Sequence, residues 1–285
     1  MKILKHSYAM ISLLLSFAVC AQSDKTIQWI GGPTFLLNIG SFKIIADPML
    51  GPKSEISFRI AKHPVTGELN AAIKRFKDPA KFDINSIDLI LISHPHPDHI
   101  DDKAVEILDH NLQVITTSNS VGKFEDWGFK RVKGLEWNDT ISLYKEVETL
   151  DIIAVRAKHT ADENLNSELG KVNGYIINYQ SAKEGYTIYW SGDTVWFPEL
   201  ESYKKFQPID LFIPNMGAVG YGKRGLNAEQ CIKIITALSP LKVFPVHHST
   251  FSHYTESIEV LEIMMVNTGY INRLRLPDLG EIIKP

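Results

Sequence analysis

The sequence predicts an α/β domain with two sheets and outer helices, and three observations point there. Short apolar strands crowd the N-terminal part, strands then alternate with helix-like segments, and 285 residues suit one large domain or two small ones. Segments 26–30, 35–39 and 42–46 are apolar runs separated by Gly31-Gly32 and Gly40-Ser41, the pattern of a meander. Segment 88–93, DLILIS, is continuously apolar and predicts a buried strand. Segment 101–108 has helical spacing behind an Asp, and 112–117 is again a strand. Together they form a βαβ unit, parallel by preference. Further strands are predicted at 150–157, 175–179, 187–191, 211–214 and 243–246, and helices at 198–206, 227–238 and 255–266. Residues 48–86 are the least regular stretch, with Pro52, Pro64 and Pro79 and one amphipathic piece at 69–76. No linker, repeat or low-complexity tract divides the chain, so 22–285 reads as a single domain.

Composition excludes several classes. Hydrophobic residues at 44% and charged residues at 22% are ordinary for a globular protein, which argues against disorder. Thirty basic against 33 acidic residues give a net charge of −3, too acidic for a protein that gathers phosphates with Lys and Arg. No nucleic-acid partner is therefore expected. Two cysteines make neither a disulfide framework nor a Cys₄ zinc site.

Residues 1–21 have the three parts of an export signal. Lys2 and Lys5 are basic, 10–19 is apolar, and Val19-Cys20-Ala21 precedes a cleavage point before Gln22. The apolar run is shorter than the roughly 20 residues that span a bilayer. Lipidation of Cys20 is disfavoured because Val19 stands where a smaller residue is usual. The expectation is a periplasmic or secreted mature chain 22–285 without a transmembrane span. Cys231, the cysteine left in it, is expected to pack within a helix.

The chemistry sits at strand ends. Directly after DLILIS comes His94-Pro95-His96-Pro97-Asp98-His99, in which two prolines deny regular structure and four side chains suit a metal. His94 and His96, two apart in extended backbone, emerge on one side. Three imidazoles and a carboxylate buried together are costly without a partner, and a metal supplies one. His159, Asp193 and His247 each follow another apolar strand. Singly each reads as a cap or a satisfied polar group; with the loop they complete a ligand set.

These residues, with Gly192-Asp193-Thr194 and Val246-His247-His248-Ser249-Thr250-Phe251, resemble the metallo-β-lactamase superfamily. Within it they are most similar to the branch of L-ascorbate-6-phosphate lactonase and N-acyl-phosphatidylethanolamine phospholipase D. The resemblance runs from about Gln28 to Phe251 and implies a four-layer αββα sandwich with its site on one edge of the sheets. It implies two divalent ions, zinc first, with manganese or iron as alternatives. His94, His96 and His159 would hold one ion, and Asp98, His99 and His247 the other. Asp193 would bridge them, with Asp98 and Asp193 as the carboxylates of the catalytic centre. Asp193 stands where the lactamases themselves usually carry Cys, and His96 where flavodiiron proteins carry an acid, so neither of those activities is expected.

Around the ligands, Asp47 of Ala46-Asp47-Pro48 resembles the family's acidic residue near the site. Asp101 either orients a ligand histidine or caps the following helix. His248 is either an exposed neighbour of His247 or a group that orients substrate. Lys223 and Arg224 lie in a glycine-rich segment, 215–225, that suits a rim loop and an anionic group. Residues 48–86, through Phe58, Ile60, Leu69, Ile73 and Phe76, are expected to wall the metal edge. The resulting expectation is a dinuclear hydrolase whose metal-bridging hydroxide cleaves a lactone, ester or phosphodiester of a small molecule or lipid. A phospholipase D-like phosphodiesterase is the alternative enzyme. A non-hydrolytic redox or binding metalloprotein is the alternative of another class.

Overall fold

The computed structural model describes residues 25–285. The leader expected at 1–21, with its cleavage site, lies outside the described residues. In chain order the elements are β1 (Thr26–Gly31), β2 (Thr34–Ile39), β3 (Phe42–Ala46), β4 (Ser54–Lys62), β5 (Leu69–Arg75), β6 (Leu89–Leu91), α1 (Asp102–Ile107), β7 (Gln113–Thr117), α2 (Val121–Asp126) and β8 (Arg131–Leu135). The second half adds β9 (Thr140–Lys145), β10 (Glu148–Arg156), α3 (Glu163–Leu169), β11 (Asn173–Gln180), β12 (Gly185–Trp190), β13 (Leu211–Ile213), α4 (Val219–Gly222), α5 (Ala228–Leu238), β14 (Lys242–Val243), α6 (Ile258–Asn267) and β15 (Ile282–Ile283).

Two sheets pack face to face. The first has the order β15-β1-β2-β3-β6-β7-β8, the second β14-β13-β12-β11-β10-β9. The central strands are apolar on both sides because both sides are covered, whereas the edge strands β8 and β9 alternate with exposed residues. In β2, Phe35, Leu37 and Ile39 enter the core between the sheets, whereas Leu36 faces the layer under α1 and α2. In β12, Ile188 and Trp190 point inward and Tyr189 points to the layer beneath α5 and α6. This period of two, set by the pleat, builds three stacked cores and hence four layers, αββα.

The meander β1–β3 is antiparallel and the βαβ unit β6–α1–β7 is parallel, both as predicted. Asp101 caps α1: its Oδ1 accepts from the Ala104 N–H at 2.8 Å, and its Oδ2 accepts from Gly51 N–H at 2.7 Å. Both oxygens are therefore committed to backbone, and the reading of Asp101 as a partner of a ligand histidine gives way to the cap. The strand expected at 243–246 keeps regular pairing only over Lys242–Val243: Phe244 and Val246 N–H still donate to Phe212 O and Pro214 O, but Pro214 has no N–H to return to Phe244 O. The helix expected at 198–206 is a run of 3₁₀ turns opening on Pro198. Among the described residues no helix is long and apolar enough to cross a membrane.

Residues 48–86 hold more order than expected. β4 and β5 form an antiparallel hairpin, and β5 is the amphipathic piece, with Ala71, Ile73 and Arg75 buried. Its base is stitched to the segment after β14: Phe76 N–H donates to Thr250 O, and Ser252 N–H to Lys74 O. The buried Arg75 guanidinium donates to Met49 O and Lys77 O and lies over the Phe251 ring. Ile73, Met49 and Phe251 form a small core there, flanked by Phe58 and Ile60.

Candidate metal centre

Strand direction brings the chemistry to one edge. β10, β12, β13 and β14 run the same way in the second sheet, and their C-terminal ends release His159, Asp193, Asn215 and His247. Facing them, β6 of the first sheet releases the loop from His94 to His99. Open α/β sheets present ligands at this end of their strands. Local backbone strain sharpens the placement. Gly192 has φ +55°, and a Cβ there would stand 2.4 Å from Asn173 O, so only glycine lets the chain turn Asp193 into the site. His247 takes the left-handed region at φ +61°, held by its N–H donating to Gly32 O at 2.6 Å.

Two groups of side chains converge. His94, His96 and His159 form one, and Asp98, His99, Asp193 and His247 the other; within each, one ligand atom per residue lies within 4.8 Å of all the rest. In the first group, His94 Nε2 and His159 Nε2 stand 2.9 and 3.3 Å from His96 Nδ1. Nitrogens sharing one tetrahedral ion at zinc–nitrogen distances stand about 3.3 Å apart, so this spacing fits a common ion. In the second group, Asp193 Oδ2 lies 3.3 Å from His99 Nε2, and Asp98 Oδ2 lies 3.4 Å from His247 Nε2. Asp193 Oδ2 is also 3.7 Å from His159 Nε2, so this carboxylate faces both groups. The buried nitrogens His99 Nε2 and His247 Nε2 have no hydrogen-bond partner. Such orphans are costly in a dry interior, and a cation satisfies them.

Four of the five imidazoles are oriented from behind, and His159 Nδ1 is buried without a partner; His94 Nδ1 stands 3.0 Å from Ser93 Oγ. His99 Nδ1 lies 2.6 Å from Asp47 Oδ2, and His247 Nδ1 donates to Met216 O at 3.0 Å, which turns both Nε2 atoms to the centre. His96 Nε2 donates to Leu169 O at 2.8 Å and leaves Nδ1 facing inward. Asp47 is itself held by Ser93, whose N–H and Oγ donate to it at 2.7 and 2.6 Å. Asn215 Nδ2 donates to Asp193 Oδ1 at 2.9 Å. Outer partners of this kind fix tautomer and ring orientation.

The electrostatics of the groups differ. Burial, reinforced by neighbouring imidazoles, pushes His94 well below the usual imidazole range and His96 down to about 4. Burial also opposes charge on His99, yet Asp193, Asp47 and Asp98 together raise it well above that range. His247 is raised in the same way by Asp193 and Asp98. Burial works against the Asp98 and Asp193 carboxylates as well, but the surrounding histidines hold both well below the usual carboxylate range.

The family comparison fits this geometry. Residues 44–248 match the model of a beta-lactamase superfamily domain. The chain belongs to the beta-lactamase superfamily. The UPF0173 protein YddR of Bacillus subtilis is 25% identical over 261 residues, covering 90% of this chain and 98% of that protein. A UPF0173 metal-dependent hydrolase of Pyrococcus abyssi is 28% identical over 228 residues, covering 79% of this chain and 85% of that protein. An isothiocyanate hydrolase from Delia radicum gut bacteria has the same fold, with a TM-score of 0.75, 21% identity and coverage of 90% and 98%.

A cavity of about 470 Å³ in this superfamily member opens onto His96, Asp98, His159 and Asp193. Arg59, Ile60 and Lys62 of β4 wall it, and Arg224 lines it from the segment 215–225. The hairpin therefore stands over the metal edge, as expected, but not through every residue expected. Of the five apolar residues expected in the wall only Ile60 lines the cavity; Phe58 and Ile73 pack into the small core with Phe251, and Leu69 and Phe76 are 74% and 48% exposed. Lys223 borders a separate cavity of about 360 Å³ with Trp196 and Gln230. His248 is not an exposed neighbour. It is buried and stacked on Trp29 at 4.3 Å, with Nδ1 beside Ser249 Oγ, outside both groups. Three site residues escaped sequence reading: Ser93, Asn215 and His253. Ser93 and Asn215 follow strands at the same edge as the ligands, which is the signal that finds them. His253, whose Nε2 lies 3.1 Å from Asp98 Oδ2, has no such mark.

Proposed function

We propose that this chain is a dinuclear metal-dependent hydrolase. The observation that carries the reading is the meeting of two ligand groups at Asp193, with unpartnered imidazole nitrogens turned toward the point where they meet. His94, His96 and His159 would hold one divalent ion and Asp98, His99 and His247 the other, with Asp193 shared. Imidazole and carboxylate donors suit zinc best and also accept manganese or iron. When bound, such a pair supplies a nucleophile from water at neutral pH and a charge that polarises the scissile group. Asp47, Ser93, Leu169, Asn215 and Met216 hold these side chains from behind, and substrate would enter through the cavity that borders His96, Asp98, His159 and Asp193.

The bond cleaved is, on this reading, a lactone, ester or phosphodiester of a small molecule or lipid. Arg59, Lys62 and Arg224 around the cavity favour a substrate with an anionic group, and Ile60 offers an apolar surface beside it. We also propose that the chain is exported, on the strength of the basic, apolar and small-residue parts of 1–21. Mass spectrometry of the secreted or periplasmic protein should find Gln22 at the N-terminus, and an intact Met1 or a diacylated Cys20 would reject that. Function is tested on metal-loaded enzyme by comparing lactones, phosphodiesters and carboxyl esters. Hydrolysis of one class, lost with a chelator and restored by metal, supports the reading. A protein that takes up two ions and turns over none of the three classes counts against it.

A further inference from the structure

We propose that His253 is a positioning residue of the second ligand group, fixing Asp98 by hydrogen bonding and tying it to the hairpin wall. This rests on the dinuclear reading above and extends it to a residue outside the ligand set. His253 is 3% exposed, yet it borders the cavity over the metal edge. Its Nε2 lies 3.1 Å from Asp98 Oδ2, within reach of a hydrogen bond, while His247 Nε2 lies 3.4 Å from the same oxygen. An ionised carboxylate only accepts, so the bond requires the tautomer with hydrogen on His253 Nε2. His253 Nδ1 is buried without a partner, so no competing bond pulls the ring to another orientation.

The ring is clamped on its other sides. Phe58 of the hairpin meets it edge-on at 5.7 Å, Phe251 lies at 6.0 Å and Tyr254 at 4.7 Å. Phe58 also packs edge-on against Phe251 at 5.4 Å, so hairpin and ring share one small cluster. The consequence is specific. Asp98 sits on a loop containing two prolines, and the bond fixes its carboxylate at Oδ2, the oxygen that also faces His247 Nε2. His253 supplies the outer hydrogen bond for Asp98 that Asp47 supplies for His99 and Asn215 for Asp193.

The test separates a directed hydrogen bond from mere packing. Gln places an amide N–H where the His Nε2–H stands, Asn places it at the Nδ1 position, and Phe keeps the volume with no donor. Stepwise zinc binding to the full mature chain is followed by calorimetry, beside cobalt absorption spectra and thermal melts. His253→Gln should bind both ions as wild type does. His253→Phe and His253→Asn should lose about 10–100-fold in the affinity of one ion and keep the other, with a changed cobalt spectrum. Wild-type affinities in His253→Asn or His253→Phe would overturn the proposal, as would a Gln variant as impaired as the Asn variant. If Phe does not fold, the Gln and Asn pair decides. A wild-type chain that binds fewer than two ions overturns the dinuclear reading instead, and does so before any variant is compared.

Discussion

The two ligand groups are neighbours at one sheet edge, but they are built on different principles. The group of His94, His96 and His159 contains only imidazoles, and burial keeps His94 and His96 neutral. The group of Asp98, His99, Asp193 and His247 mixes signs: its carboxylates raise the proton affinity of His99 and His247, and those histidines lower that of the carboxylates. The first group gathers imidazoles alone, whereas the second sets carboxylates beside imidazoles whose hold on a proton they strengthen. One edge of one fold thus offers a site where His94 and His96 bind protons weakly and a site where His99 and His247 bind them more strongly, so protons compete unequally with a cation.

The substitution that breaks this contrast most completely is Asp193→Ala. Because Asp193 faces both groups, its loss should weaken both and abolish turnover, read by metal content and rate together. A variant that keeps two ions and full activity would remove Asp193 from the centre. A more selective change is Asp47→Asn, which removes the charged acceptor behind His99 and reaches the first group only through Ser93, whose Oγ also stands 3.0 Å from His94 Nδ1. Affinity for one ion should fall about 10–100-fold while the other stays bound, measurable by titration with a chelating dye. Equal loss of both ions would erase the distinction.

Acidity sharpens the contrast without mutation. His99 and His247 are raised above the ordinary imidazole value, so protons compete with an ion for them up to higher pH than for a free imidazole. Occupancy of the second group therefore grows as pH rises and is lost first as pH falls. His94 and His96 are lowered, His96 to about 4, so the first group keeps its ion into more acidic solution. Metal content after dialysis at stepped pH should fall in two stages; a single stage contradicts the assignment. The smallest effect on metal is expected from the wall. Trimming the hairpin tip between Arg59 and Leu69, which spares the buried Ile73 and Arg75 at its base, should alter KM or substrate ranking and leave both ions bound. Unchanged kinetics in a folded variant would make the wall a scaffold only.

The ligand loop was legible because strand β6 is uniformly apolar and stops at a dense run of metal-capable side chains. His159, Asp193 and His247 were legible for the same reason, each being the first metal-capable group past an apolar strand. The hairpin was hidden because most of β4 is solvent-exposed, so charged residues such as Arg59 and Lys62 blur its alternation. β9 is masked similarly: Ile141 and Leu143 face the core while Thr140, Ser142 and Tyr144 face water. His253 was unreadable because its partner, Asp98, is 155 positions away and its own segment follows no strand. Asp101 shows the limit from the other side: a cap and an outer partner require the same residue at the same place, and only the observed bonds to Ala104 and Gly51 distinguish them.

Each group draws residues from both sheets. His94 and His96 come from the loop after β6 and His159 from the end of β10; Asp98 and His99 belong to that same loop, and Asp193 and His247 to the other sheet. An ion in either group is therefore a removable cross-link between the two halves of the chain, closing a loop of many tens of residues much as a disulfide would. Ligand binding to the folded state alone adds about 2.7 kcal/mol when free metal is a hundred times its Kd. Metal supply would then govern how firmly the halves hold together, and with it survival against proteases, in a molecule whose described residues contain one cysteine, the buried Cys231.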